Sequence, residues 1–170
     1  MNNVVTKSSM VGNVLFRRLI VHWSKSYSEN TEFGAVTKNL KVQIFDFFDR
    51  KCAYCNKNLK FVKTHWDHAI PINKTCFGLN VFGNIVPTHP ECNALKHNKT
   101  WDEYFKENPN PVALRKLKKY LRTANSKNLQ TVLPEKFRSE LVNVCDIFSE
   151  NAADQINVWR KCGENYSGSI

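Results

Sequence analysis

The sequence predicts an α+β fold: a small, turn-rich core holding two strands and a structural zinc site, flanked by N- and C-terminal α-helices. Three observations predict it. Apolar residues recur at helical spacing on both sides of the centre, and the centre itself interleaves Pro, Gly and Asn with two strand-like runs. Two pairs of metal-ligating residues, each with a two-residue gap, bracket those runs. The chain divides accordingly into a helical N-terminal extension (1–50), a core (51–107) and a helical C-terminal region (108–170).

Taken in order, residues 1–12 read as frayed. Val14, Leu15, Leu19 and Trp23 then recur at roughly helical spacing from Asn13 to Trp23. A loop around Gly34 follows over Thr31–Thr37. Thr37 is placed to cap a helix running to Arg50, in which Leu40, Ile44, Phe47 and Phe48 form one apolar stripe. Phe61 to Ile70 and Asn80 to Pro87 read as strands joined by a loop with Pro71, Asn73 and Gly78. After Pro90 a helix is predicted to run towards Lys106. Asn108-Pro109-Asn110-Pro111 breaks it, and Pro111 opens the next helix, to Ala124, with Leu114, Leu117 and Leu121 on one side. Pro134–Phe148 and Ala152–Lys161 read as two further helices with Phe137, Leu141, Val144, Phe148, Ile156 and Trp159 as core. The tail from Gly163 is expected to be loose.

Composition bounds the partners. The 170 residues carry 25 Lys and Arg against 15 Asp and Glu, a formal charge of +10, and 42% of residues are hydrophobic. That is enough apolar material for a packed domain and excludes a disordered basic tail. The charge is uneven: residues 51–125 hold thirteen bases and five acids, whereas 126–170 hold five and six. A field of this sign attracts polyanions. A membrane span needs roughly 20 consecutive apolar residues, and Arg17 and Arg18 interrupt the best stretch, Val14–Trp23. With polar first residues and no secretory pattern, the expectation is an intracellular, cytoplasmic protein with no membrane partner. On the helix after Pro111, Arg115, Lys116, Lys118, Lys119 and Arg122 have no acidic neighbour among them. They are either a solvated face or a surface for phosphates.

Six cysteines fall at 52, 55, 76, 92, 145 and 162. Without a secretion pattern, closely spaced cysteines point to metal rather than disulfides. Cys52 and Cys55 form a C-x2-C knuckle, and after 33 intervening residues His89 and Cys92 form an H-x2-C. Two such short loops let four side chains converge on one tetrahedral Zn²⁺. A redox-active C-x2-C belongs between a strand and a helix of a βαβ unit, which is not its setting here. Cys76, Cys145 and Cys162 have no partner at ligand spacing and read as inert thiols.

Between the knuckles, Asp67-His68 puts a carboxylate beside an imidazole at the end of a strand, with Pro71 three residues on. Asn84 follows in Gly83-Asn84-Ile85, and Asn93 comes directly after Cys92. Lys96 and His97 lie three and four residues beyond Asn93, the spacing that shares one helical face. In this order the residues resemble the zinc-knuckle group of HNH nucleases, with their ββα-metal fold: C-x2-C, then D-H-x-x-P, an Asn, a second knuckle, and C-N-x-x-K. The resemblance covers about Lys51 to Trp101. His89 stands where the family usually has Cys, and Asn93 where many members have His.

The resemblance implies phosphodiester hydrolysis, with His68 as general base. It implies Asp67 and Asn93 as oxygen ligands of one Mg²⁺ or Mn²⁺, and Asn84 as a brace for the backbone near His68. Lys96 then neutralises a phosphate oxygen, and His97 is a further candidate metal ligand. The implied substrate is double-stranded DNA, leaving 5′-phosphate and 3′-hydroxyl ends. Neighbouring strand residues point to opposite faces, so Asp67 and His68 serve one site only where the strand ends or bulges. The flanking helices are large enough to read a target, as in a sequence-specific restriction enzyme, or to form a homodimer. A phage or mobile-element nicking nuclease, a nuclease for RNA, and a non-catalytic zinc module that binds nucleic acid are the alternatives.

Overall fold

A computed structural model describes residues 2–29, 36–123 and 134–167, with the side chains of 2–9, 25–29, 123, 156 and 159–167 outside the description. The predicted loop around Gly34, the core assignments of Ile156 and Trp159, and the thiol of Cys162 therefore lie outside the described residues. So does the end of the tail, 168–170, whereas 163–167, expected to be loose, are helical. The fold is α+β, as expected: six α-helices and a two-stranded antiparallel sheet among the described residues. No helix among them is long and apolar enough to cross a membrane. The chain divides into two compact units, Ile20–Leu133 and Met1–Leu19 with Pro134–Ile170.

In the larger unit, helix α2 spans Lys38–Phe47, and the Thr37 hydroxyl caps it by accepting the Leu40 N–H at 3.2 Å. Ile44 and Phe48 are buried, as their spacing predicts. Asp49 and Arg50 both take positive φ, 53° and 58°, turning the chain into the first knuckle. Strand β1 is His65–His68 and β2 is Ile85–Thr88, with Asp67 opposite Val86 and His68 opposite Ile85. Both strands are shorter than predicted. Phe61–Lys63 winds into a 3₁₀ turn, and a turn through Gly83 (φ 92°) delays β2. Between them the chain folds back so closely that a Cβ on Gly78 would lie 1.9 Å from the Ile70 carbonyl oxygen. Only glycine fits there.

The helix predicted from Pro90 to Lys106 is two helices, α3 (Pro90–Lys96) and α4 (Trp101–Glu107). The break has two causes. His97 adopts φ 50°, ending α3, and the Trp101 N–H donates to the Ala69 carbonyl at 2.9 Å instead of continuing a helix. Helix α5 (Pro111–Thr123) buries Leu117 and Leu121, as its leucine spacing predicts. Its Tyr120 hydroxyl donates to the Ile85 carbonyl at 2.9 Å and accepts the Gly83 N–H at 3.0 Å, fixing the entry to β2. Helix α2 packs on β2 and α3 on β1, giving a ββα arrangement around Ile44, Phe48, Tyr54, Ile85 and Val86.

The smaller unit contains the first part of helix α1 (Asn2–Glu29) and helix α6 (Glu135–Ser167). Residues 2–12, expected to fray, are helical. The two helices predicted over 134–161 are one, because the polar Asn151 between them is no helix breaker. Leu141 and Cys145 are buried, but Phe137, Val144 and Phe148, predicted as core, are exposed, as is Val14.

Candidate functional site

The first knuckle is a tight turn tied to the sheet. The Cys52 N–H donates to the Lys57 carbonyl and the Ala53 N–H to that of Pro87. Asn56, at φ 59°, makes the left-handed bend that closes the turn, a conformation Asn tolerates better than most residues. The second knuckle enters α3, with His89 as N-cap and Pro90 in the first turn. Together they bring Cys52, Cys55, His89 and Cys92 to one place, with ligand atoms all within 4.8 Å of one another.

This donor set fits zinc. His89 turns Nδ1 towards Cys55 Sγ at 3.3 Å, while its Nε2 lies 3.1 Å from the Asn58 carbonyl oxygen. A carbonyl only accepts, so the proton sits on Nε2 and the Nδ1 lone pair faces the sulfurs. Burial pushes the Cys52 thiol up. Burial and then the neighbouring Cys52 push the Cys92 thiol up further. The Cys52 and Cys92 thiols therefore resist ionising together unless a cation joins them.

The second cluster lies at the end of β1, which stops at His68, the ending that the Asp67–His68 pair needs. Asp67 is largely buried. Its Oδ2 accepts from the Tyr54 hydroxyl at 2.6 Å and from Lys96 Nζ at 3.1 Å. Lys96 is 1% exposed and also donates to the His68 carbonyl at 2.8 Å. Burial pulls the Lys96 ammonium below its ordinary value, and Asp67 opposes that shift. This differs from the expectation that Lys96 reaches a phosphate. Its long side chain runs inward between α3 and β1, where the Asp67 carboxylate compensates it. Burial, followed by the charge of Asp67, pushes the Tyr54 phenol up, so it remains a donor.

His68 Nε2 lies 3.0 Å from Asn80 Oδ1. Asn80 is held in turn: its N–H donates to Ser24 Oγ at 2.9 Å, and Ser24 Oγ donates to the Ile20 carbonyl at 2.7 Å. Asn84 is fully buried. Its Oδ1 accepts the Ile70 N–H at 2.7 Å, and its Nδ2 donates to the carbonyls of Ile70 and Leu79 at 2.9 and 2.8 Å. It thus ties the segment after His68 to the segment before β2. Asn93 is half-buried on α3, one turn before Lys96. His97 leaves that helix and is exposed, so the helical face predicted to unite it with Asn93 and Lys96 ends at Lys96.

Sequence reasoning missed Tyr54, Asn80 and Ser24. A large aromatic inside a C-x2-C turn was the one available signal, for Tyr54; Asn80 and Ser24 carry none. On α5, Arg115, Lys118, Lys119 and Arg122 are exposed at i, i+3, i+4 and i+7, one face of the helix. Lys116, half-buried on the same helix, pairs through its ammonium with Asp49 at 3.0 Å and lies 5.1 Å from the Phe47 ring centroid. Trp66 and Trp101 are partly buried and pack against the core.

No curated protein matches the chain. Residues 52–99 match the family model of the HNH endonuclease. That span opens on the first zinc ligand and encloses the Asp67–His68 pair, Asn84 and the whole of α3. The chain thus carries an HNH endonuclease domain at residues 52–99, built around a Cys3His cluster of the zinc-binding kind.

Proposed function

We propose that the protein is a metal-dependent DNA endonuclease, with residues 51–107 as its catalytic core and 1–50 and 108–170 as helical additions to it. The observation that carries the reading is the state of Asp67. Two donors hold its Oδ2, and among the described residues no protein donor is bound to Oδ1. A carboxylate fixed by one oxygen presents the other as a hard ligand, and the amide oxygen of Asn93 is of the same kind. Such donors suit Mg²⁺ or Mn²⁺. A cation held there would relieve charge on the scissile phosphate and assist the leaving oxygen.

His68 acts as general base. Its imidazole, held at Nε2 by Asn80, takes the proton from the attacking water. Asn84 braces the backbone beyond His68, and Lys96 holds Asp67 and the His68 carbonyl together. His97 remains a candidate additional ligand. The basic face of α5, with Arg115, Lys118, Lys119 and Arg122, faces DNA phosphates, and Lys116 contributes less because Asp49 occupies it. One such site cuts one strand at a time, so a double-strand cut takes two cleavage events, which a homodimer on the DNA would supply together.

The test is cleavage of supercoiled plasmid in Mg²⁺ or Mn²⁺, followed by sequencing of the ends. His68→Ala should lose cutting by about 10²-fold or more while keeping zinc and DNA affinity. Equal cutting by His68→Ala and wild type would remove His68 from the mechanism. Ends at discrete sequences indicate restriction-type specificity, and scattered nicks a nonspecific enzyme.

A further inference from the structure

One side chain reaches from the Cys3His cluster to Asp67. Tyr54 lies inside the four-residue turn Cys52–Cys55, its N–H donating to Cys52 Sγ at 3.4 Å. Its ring is buried against Tyr104, with centroids 4.8 Å apart, and against Phe105. Its hydroxyl ends on Asp67 Oδ2 at 2.6 Å. Any buried tyrosine hydroxyl finds a partner, and a backbone carbonyl would have served that need. Here the partner is instead the carboxylate that Lys96 also holds, by the same oxygen. The orientation of the other oxygen is therefore set from two sides, one of which is the zinc loop.

We propose that Tyr54 is a positioning residue through which the zinc loop orients the Asp67 carboxylate for its divalent cation, so that geometry at the Cys3His cluster sets affinity at the second site. This rests on the reading of Asp67 as a cation ligand. Hydrogen-bond partners that orient a metal-binding side chain commonly change metal affinity by about 10–100-fold when removed. Tyr54→Phe deletes one oxygen from a packed ring and leaves every knuckle ligand in place.

The experiment measures Mn²⁺ binding to zinc-loaded, DNA-free protein by calorimetry, with zinc content and the Co²⁺-substituted absorption spectrum as controls on the knuckle. Tyr54→Phe should keep one zinc per chain and an unchanged Co²⁺ spectrum while raising the Mn²⁺ Kd about tenfold. A shift below about threefold, with Asp67→Ala abolishing binding, overturns the role of Tyr54 and leaves the reading of Asp67 intact. Unchanged Mn²⁺ binding by Asp67→Ala overturns both. Should Tyr54→Phe lose zinc or fail to fold, replacing zinc by the larger Cd²⁺ in the wild-type protein moves the loop without a substitution. The Mn²⁺ Kd should then shift several-fold, and an unmoved Kd overturns the proposal.

Discussion

The Nε2 of His89 lies 3.1 Å from the Asn58 carbonyl oxygen, which aims its Nδ1 at the three sulfurs of the knuckles. Because the tautomer is fixed before any ion arrives, His89 serves as a ligand as readily as a cysteine would. His89→Cys should therefore retain one zinc per chain and His89→Ala should lose it. Chelation of the wild-type metal should abolish cooperative melting of the unit Ile20–Leu133, since a structural zinc contributes directly to folding. Calorimetry before and after chelation tests this; an unchanged transition would mean that the cluster does not hold the core together.

Asn84 makes three hydrogen bonds from a fully buried side chain, all to backbone of the loop between the strands. Asn84→Ala leaves the Ile70 N–H and the carbonyls of Ile70 and Leu79 without these partners. At about 1–3 kcal/mol for each buried group left unsatisfied, the loss should be about 3 kcal/mol or more. Asn84→Asp should be no better, because a carboxylate accepts from Ile70 but cannot donate to Ile70 or Leu79. Urea unfolding with an unchanged slope measures it, and a loss under about 1 kcal/mol would remove the brace.

What the sequence carried was the part encoded by short spacing. The two knuckles, the Thr37 cap with its apolar stripe and the Pro111 helix all depend on residues within a few positions of one another. The strands came out shorter because the turn at Phe61–Lys63 and the turn through Gly83 are set by tertiary packing. The resemblance sends Lys96 to a phosphate oxygen, and helical spacing gives its direction at Cβ but not where four methylenes lead. Its inward course depends on Asp67, 29 positions away. Asn80 and Ser24, joined across 56 positions, have no local pattern by which to be found.

Glu103 gives the unit a contribution that depends on pH. Its carboxylate accepts the Thr100 N–H at 2.7 Å and the Thr100 hydroxyl at 2.9 Å at the start of α4, and these bonds hold it below its ordinary 4.5. A carboxyl lowered in the folded state stabilises above its unfolded value, and that contribution is lost as pH falls through the folded one. Wild type should melt higher than Glu103→Gln near neutral pH, with the gap closing as pH drops below 4.5. A gap independent of pH would assign the effect to packing.

Gly12 on α1 marks a close helix crossing within the smaller unit. A Cβ there would lie 2.5 Å from the Cys145 carbonyl oxygen and 2.0 Å from Ser149 Oγ, which itself donates to that carbonyl. The serine can rotate, but the backbone of α6 cannot yield without moving the helix. Gly12→Ala gains helix propensity of about 1 kcal/mol, yet overpacking at such a contact costs about 1–3 kcal/mol. The net expectation is destabilisation of the helix pair, read as a lower melting temperature. A rise would mean that α1 and α6 part easily.

The basic face of α5 makes a prediction with a slope rather than a magnitude. Each phosphate contact releases condensed counterions, so log K against log salt steepens by about 0.9 per contact. Arg115, Lys118, Lys119 and Arg122 share one exposed face, and Lys116 is half-buried and held by Asp49. Replacing those four by Gln should flatten the slope by up to about 3–4 on duplex DNA. Lys116→Gln should change the slope less and cost little stability, since exposed pairs contribute little. The comparison separates two uses of one helix, because a charge engaged in an ion pair must break it to reach a phosphate. Equal flattening by Lys116 and by each residue of the exposed face would show that the Asp49 pair does not restrain it. An unchanged slope after all four replacements would make this face a solvated surface only.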